Sequence, residues 1–285
     1  MLHESRRRPR LIRLAGLLML FATSAALALP RHAPVPGGVA VVALGPADGP
    51  APRVSFDGRQ QPVVRHRQEW VALVGIPLDT PPGRHALSVG AAPGDRELAL
   101  EVQSKNYPTQ NLRIPDQRMV TPPPELEARI EEEQQRIAAW KRHFAAAPAP
   151  DTDFLLPASG PRSARFGVRR ILNGEPRSPH AGLDVAVPVG APLRAPAAGT
   201  VLAVADLYFT GKTVVIDHGQ GVLTLYAHLS RVDVAEGQAL RRGEGFGASG
   251  VSGRITGPHL HWVVIVGGTA VDPELFLAAP GQAGR

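Results

Sequence analysis

The chain has 285 residues, which is long enough for two domains of ordinary size. Its 30 glycines and 29 prolines favour many turns over long helices, so we expect a mainly β fold. It contains no cysteine, which excludes disulfides and restricts any metal site to histidine and carboxylate ligands.

The first 28 residues have the pattern of a secretory signal peptide. Five arginines precede an apolar run over residues 14–27, and the run closes on the small residues Ala26 and Ala28. We therefore expect cleavage after Ala28, export and no stable membrane span afterwards. An uncleaved anchor is the alternative, although the run is shorter than the roughly 20 residues that span a bilayer.

The formal net charge of +6 comes mostly from this leader. Without residues 1–28 the chain keeps 26 of its 31 basic and 24 of its 25 acidic side chains, a net charge of +2. Nucleic-acid binding needs a clustered basic face, so this nearly neutral protein is not expected to bind nucleic acid.

Residues 33–105 consist of short apolar runs separated by turn residues. Asp57-Gly58 and Pro82-Gly83 are turn pairs. Four of the runs are typical of strands: residues 38–44, 53–56, 70–77 and 97–102. The pattern predicts an N-terminal β-sandwich.

Residues 106–150 differ in pattern and predict a linker with one helix. Three prolines at 122–124 can open a helix but cannot lie inside one, so we place the helix at about residues 124–146. Its apolar positions form one stripe: Leu126, Ile130, Ile137 and Trp140. This predicts a connector docked across two β domains, with a partner-binding helix as the alternative.

Residues 152–280 again have a β pattern. Glycine-containing turns separate four strand-like segments: residues 199–205, 212–217, 221–227 and 259–266. We therefore predict a second, C-terminal domain of antiparallel β structure.

Five residues of the second domain could together perform metal chemistry. They are His180, Asp184, His228, His259 and His261. A catalytic zinc site needs three protein ligands and one open position. His259 and His261 flank one residue, so on a strand they lie on the same face. One could bind a metal while the other acts as acid or base, and the spacing alone leaves the assignment open.

The same segments resemble, in order, the motifs of the M23 family of zinc metallopeptidases, the LytM/lysostaphin type. The similarity covers about residues 154–277. The matching segments are ARFGVR (164–169), HAGLDVA (180–186), PAAGTV (196–201), YAHL (226–229) and GPHLHW (257–262). Residues 33–108 resemble the immunoglobulin-like N-terminal domain of some M23 peptidases from Gram-negative bacteria.

The resemblance implies a role for each polar residue. Zn²⁺ would be held by His180, Asp184 and His261. His259 would be the general base toward the attacking water, and His228 would hold or protonate the tetrahedral intermediate. Tyr208, in the loop before residue 212, would stabilise the oxyanion, as a tyrosine does in some relatives.

The implied activity is hydrolysis of peptide cross-links in peptidoglycan. The leader and the N-terminal domain favour a periplasmic enzyme that cuts the D-alanine to diaminopimelate bond rather than a glycine bridge. A non-catalytic M23-like module that binds the cell wall or activates an amidase is the alternative. The sequence identifies no regulatory partner. If the connector is inhibitory, a form that starts near Asp151 should be faster.

A serine hydrolase is the other enzyme class to consider, because Ser249 and Ser252 lie in glycine-rich sequence near His259. The segment GASGV (247–251) lacks the second glycine where a nucleophile elbow needs it. We expect an ordinary turn there instead.

Overall fold

The computed structural model describes residues 28–91, 94–115, 117–146 and 149–278. The predicted leader lies outside these ranges except for Ala28. The predicted mainly β class is confirmed, since the described residues form mostly antiparallel sheets and one α-helix. Within the described ranges, no helix has both the length and the apolar character that a membrane span requires.

The N-terminal part is a sandwich of two sheets. Seven strands form it: β1 (Val39–Pro46), β2 (Arg53–Phe56), β3 (Arg59–Gln61), β4 (Val63–His66), β5 (Glu69–Gly75), β6 (Gly83–Ala91) and β7 (Gly94–Val102). The strand orders of the two sheets are β1-β5-β4 and β3-β2-β6-β7. Side chains of both sheets meet in one core, including Phe56, Val74 and Leu87.

The connector contains a strand, two short 3₁₀ segments and the α-helix. Their bounds are β8 (Thr109–Leu112), Gln117–Met119, Pro124–Leu126 and α1 (Glu127–Lys141). The α-helix is therefore shorter than the predicted range of about 124–146. Beyond it the chain docks on the second domain: His143 Nε2 lies 3.1 Å from Asp217 Oδ2, and Phe144 occupies the space above Gly221.

The C-terminal part is built on one large, mostly antiparallel sheet with the central order β17-β14-β15-β16-β19-β12-β9. Its strands are β9 (Arg162–Ala164), β12 (Leu183–Val185), β13 (Pro192–Arg194), β14 (Gly199–Leu207), β15 (Gly211–Asp217), β16 (Val222–Val232), β17 (Ala239–Leu240), β18 (Gly245–Ser249), β19 (Leu260–Val266) and β20 (Thr269–Val271). The four predicted segments correspond to β14, β15, β16 and β19. β16 continues past the predicted end at Ala227.

A small separate sheet joins the connector to this domain. Strand β10 (Arg169–Leu172) pairs antiparallel with β11 (Glu175–Arg177) and parallel with β8 of the connector. The two parallel strands are about 60 residues apart in the chain. Their pairing holds the connector beside the segment that leads to His180.

The large sheet is covered on both faces, and the alternation along β19 shows how. Val264 and Val266 point to the face where they pack with Leu73 of β5 in one continuous core. Val263 and Ile265 point to the other face, where Trp140 of α1 packs. His261 shares the parity of Val263 and Ile265, so the histidine lies on the helix-covered face, beyond the apolar part.

Candidate functional site

Three of the predicted residues converge on one point. Asp184 of β12 lies directly opposite His261 of β19 in the strand register, and His180 lies in the turn that leads into β12. Asp184 Oδ1 is 2.9 Å from His180 Nε2 and 2.8 Å from His261 Nδ1, and the two nitrogens are 3.0 Å apart. The sheet therefore brings together two imidazole nitrogens and a carboxylate oxygen.

This donor set fits a zinc ion. A tetrahedral site with ligands at about 2.0 Å has ligand atoms about 3.3 Å apart, and the observed triangle is slightly tighter than that. His180 Nδ1 donates to the Arg165 carbonyl at 2.9 Å, which leaves Nε2 with its lone pair toward the cluster. With these two nitrogens deprotonated, the pair of imidazoles beside a carboxylate is a favourable environment for a cation.

Asp184 is held as a carboxylate. Burial would raise its pKa, but when His180 and His261 carry protons on the nitrogens that face it, their hydrogen bonds and charge outweigh burial and hold that pKa well below its usual value. Its second oxygen, Oδ2, lies 3.4 Å from Nη2 of Arg170 on β10. Burial lowers the pKa of Arg170, and Asp184 partly offsets that effect. The carboxylate is thus ionised and oriented on both sides.

His228 and His259 lie next to this cluster. Their rings are 5.0 Å apart, and His259 Nε2 is 3.8 Å from Asp184 Oδ1. His228 follows Ala227, which is paired with His261, and has a φ of +67° at an irregularity between β15 and β16. This left-handed residue in a strand marks a bulge, which re-aims its side chain. β16 can therefore continue to Val232 while His228 faces the groove.

Backbone carbonyls fix the ring orientation of both histidines. His228 Nδ1 donates to the Ser252 carbonyl at 2.8 Å, and His259 Nδ1 donates to the Gly257 carbonyl at 2.8 Å. In the neutral ring each Nε2 then keeps a free lone pair. Burial and the charge of His261 lower the pKa of His228 to about 4, so it is neutral at neutral pH. Both rings can accept a proton at Nε2.

Tyr208 lies in the predicted loop between β14 and β15, but its hydroxyl is engaged by the connector. It donates to the Arg118 carbonyl at 3.1 Å. The backbone N–H of Tyr208 donates to Glu133 of α1 at 2.7 Å. The buried Glu133 carboxylate is in turn paired with Arg129 at 2.7 Å. The structure therefore places Tyr208 at a junction with the connector.

A groove of about 880 Å³ is bordered by Asp184, His228, His259 and His261. One wall is formed by the connector, including Val120, Glu127 and Ile130. The groove is also lined by three arginines that the sequence did not identify as site residues: Arg170, Arg177 and Arg254. In the sequence, Arg170 belongs to the pair Arg169-Arg170 at the end of the ARFGVR segment. Arginines are too common for such a pair to indicate a binding site.

Neither serine has the environment of a nucleophile. Ser249 is fully buried, and its hydroxyl donates to the Pro188 carbonyl at 2.7 Å. The Ser252 hydroxyl donates to the Leu229 carbonyl at 2.8 Å. These contacts hold the strand and turn that carry His228, in agreement with the exclusion of a serine hydrolase.

Comparison with known proteins agrees with this geometry. The profile of peptidase family M23 matches residues 178–273, and that of the M23 N-terminal domain matches residues 32–105. The solved structure of a peptidase M23 from Pseudomonas aeruginosa is 43% identical and covers 85% of this chain and 94% of its own, with a TM-score of 0.73. The chain belongs to peptidase family M23.

Curated M23 relatives match over a shorter part of their length. Peptidoglycan DD-endopeptidase ShyA from Vibrio cholerae is 41% identical over 111 residues, which is 39% of this chain and 26% of ShyA. DD-carboxypeptidase/endopeptidase Mpg from Neisseria meningitidis serogroup B is 46% identical over 94 residues, 33% of this chain and 22% of Mpg. The chain thus spans about a quarter of the length of the curated relatives it matches.

Proposed function

We propose that this protein is a zinc-dependent endopeptidase that hydrolyses peptide cross-links of peptidoglycan. The observation that carries the proposal is the convergence of His180, Asp184 and His261 within 3.0 Å of one another, beside two imidazoles with free Nε2 atoms. The names of the relatives ShyA and Mpg support the substrate class. Zinc, when bound, would polarise the scissile carbonyl and lower the pKa of a water molecule.

Two histidines divide the proton transfers in this proposal. His259 takes a proton from the attacking water at Nε2, because its Nδ1 is already used by the Gly257 carbonyl. His228 is neutral at neutral pH, and the negative charge of a tetrahedral intermediate would raise its proton affinity. It therefore holds or protonates that intermediate.

We propose the D-alanine to diaminopimelate bond as the bond cleaved, and the periplasm as the site of action. The DD-endopeptidase activity named for ShyA supports the bond. The basic and apolar pattern of residues 1–28 supports export. We also propose that the chain is divided into three parts: an N-terminal sandwich (33–105), a linker (106–150) and a peptidase domain (152–280).

The test is digestion of purified diaminopimelate-type peptidoglycan by the protein without residues 1–28, with products identified by mass spectrometry. We expect loss of cross-linked dimers, no loss with a chelator, and recovery when zinc is added back. His259→Ala should lower the rate at least about 100-fold, because it removes the general base. His85→Ala, whose ring binds the Pro81 carbonyl in the sandwich, is the matched control and should be fully active.

Metal content separates the roles. Zinc should remain bound to His259→Ala and His228→Ala and be lost from His261→Ala. If the zinc-loaded protein cleaves no cross-link, the enzyme proposal fails and the wall-binding or amidase-activating module replaces it.

A further inference from the structure

We propose that Arg170 and Arg254 bind a carboxylate of the substrate, so that the groove is specific for an anionic wall peptide. This inference rests on the proposed function and adds the groups that recognise the substrate. The starting observation is that three arginines line the same groove as Asp184, His228, His259 and His261.

Arg170 has hydrogen-bonding capacity to spare. Its Nε is buried and has no hydrogen-bond partner among the described residues. Its Nη2 makes a long contact of 3.4 Å with Asp184, and about a quarter of the side chain is exposed. The exposed part of this guanidinium can therefore bind a ligand oxygen in the groove, and hydrogen bonds between charged groups are strong.

Arg254 is fixed on the same groove by its neighbours. Its guanidinium lies over the Phe209 ring, 4.3 Å from the centroid, and its backbone N–H donates to the Phe209 carbonyl at 2.8 Å. Burial and the positive charges of Arg170 and Arg177 lower the pKa of Arg254. Like charges held together in a groove favour an anionic ligand between them.

Arg177 is the member of the cluster with a structural role. Its Nη2 donates to the Val120 carbonyl at 2.9 Å and pairs with Glu175. The facing wall on α1 carries Glu127 and Glu131. These acids would repel a carboxylate from the helix side and direct it to Arg170 and Arg254.

The chemistry distinguishes two kinds of cross-link. A glycine bridge has no side-chain carboxylate, and the two arginines would find no partner in it. A diaminopimelate-type stem peptide carries free carboxylates near the scissile bond. Hydrogen bonds to such charged groups contribute enough for a discrimination of about 10- to 100-fold.

The experiment compares two purified cross-linked peptide dimers, one with free carboxylates and one with those carboxylates converted to amides. We expect the unaltered protein to cleave the free form with a kcat/KM about 10- to 100-fold higher. Arg254→Gln and Arg170→Gln should lose most of that preference. Arg84→Gln, which removes an exposed charge from the sandwich, is the matched control and should keep it.

Zinc content is measured in every variant, because Arg170 contacts a metal ligand. The Arg254 side chain packs on Phe209, so Arg254→Gln keeps the test decisive if Arg170→Gln loses metal. Equal cleavage of both dimers by the unaltered protein, or an equal loss on both dimers in Arg254→Gln, would overturn this inference. Cleavage of neither dimer by the zinc-loaded protein would instead overturn the proposed function.

Discussion

Tyr208 shows how one hydrogen bond changes the expectation for a residue. The family resemblance implied an oxyanion role, whereas the hydroxyl donates to the Arg118 carbonyl of the connector. We expect Tyr208→Phe to change kcat on diaminopimelate-type dimers less than about 3-fold. It should lower the free energy of unfolding by about 1 kcal/mol, the usual contribution of such a bond.

Tyr107→Phe is the matched control, because the Tyr107 hydroxyl donates to the Pro36 carbonyl at 2.8 Å in a different part of the molecule. Both variants should show similar stability losses in urea unfolding. A fall in kcat of about 100-fold or more in Tyr208→Phe alone would contradict our expectation, since that is the cost of removing an oxyanion donor.

At this scale the sequence indicated the three residues that converge in the structure, but not the contacts that support them. His180, Asp184 and His261 lie in motifs whose order is specific. The contact between Tyr208 and Arg118 joins residues 90 positions apart, and it depends on where the connector docks. A single sequence contains no signal for such a distant hydrogen bond.

The segment over residues 250–258 supports two of the site histidines and contributes one arginine to the groove. The Ser252 carbonyl orients His228, the Gly257 carbonyl orients His259, and Arg254 borders the groove. Gly253 has a φ of +73°, and a Cβ there would lie 2.4 Å from the backbone nitrogen of Gly211. Backbone atoms cannot yield as a flexible side chain can, so glycine is required at this position.

We expect Gly253→Ala to lower kcat/KM at least about 10-fold while zinc content stays unchanged. The displaced turn would move the Ser252 carbonyl and with it the His228 ring, and the strain should cost about 1–3 kcal/mol of stability. Gly257→Ala is the control, because a Cβ at Gly257 meets nothing within 4 Å and its φ is not positive. Equal effects of the two substitutions on kcat/KM and on urea unfolding would contradict the packing argument.

The long strands of the large sheet were predictable because alternation and glycine turns mark them. The short strands β8 to β11 were not, since three or four residues contain too little pattern and β8 pairs with a distant segment. The α-helix, Glu127–Lys141, lies within the predicted range of about 124–146 and ends earlier than that range. Residues 143–146 are compatible with a helix in isolation, and docking of Phe144 on Gly221 overrides that tendency.

The whole molecule is organised as layers that share cores. The apolar run over residues 71–74 is buried on both faces, because one face packs in the sandwich and the other on the large sheet. The sequence shows that the run is buried but does not show what covers it. A form that begins near Asp151 would expose Val264 and Val266 on one face and lose Trp140 from the other. Reduced activity of that form would therefore reflect the loss of these packing contacts as well as any effect on inhibition.

Shared cores predict that the sandwich and the peptidase domain unfold together. Leu73 is fully buried against the large sheet, whereas Leu100 lies in the internal core of the sandwich. Each substitution by alanine should cost about 2–5 kcal/mol and lower Tm by roughly 5–15 °C. Scanning calorimetry of the unaltered protein should show one transition, with calorimetric and van't Hoff enthalpies in agreement. Both variants should shift that one transition. The contrary result would be two transitions, with Leu100→Ala lowering only the first Tm and Leu73→Ala leaving the second Tm unchanged. That result would mean that the interface contributes little to stability and that the two parts fold independently.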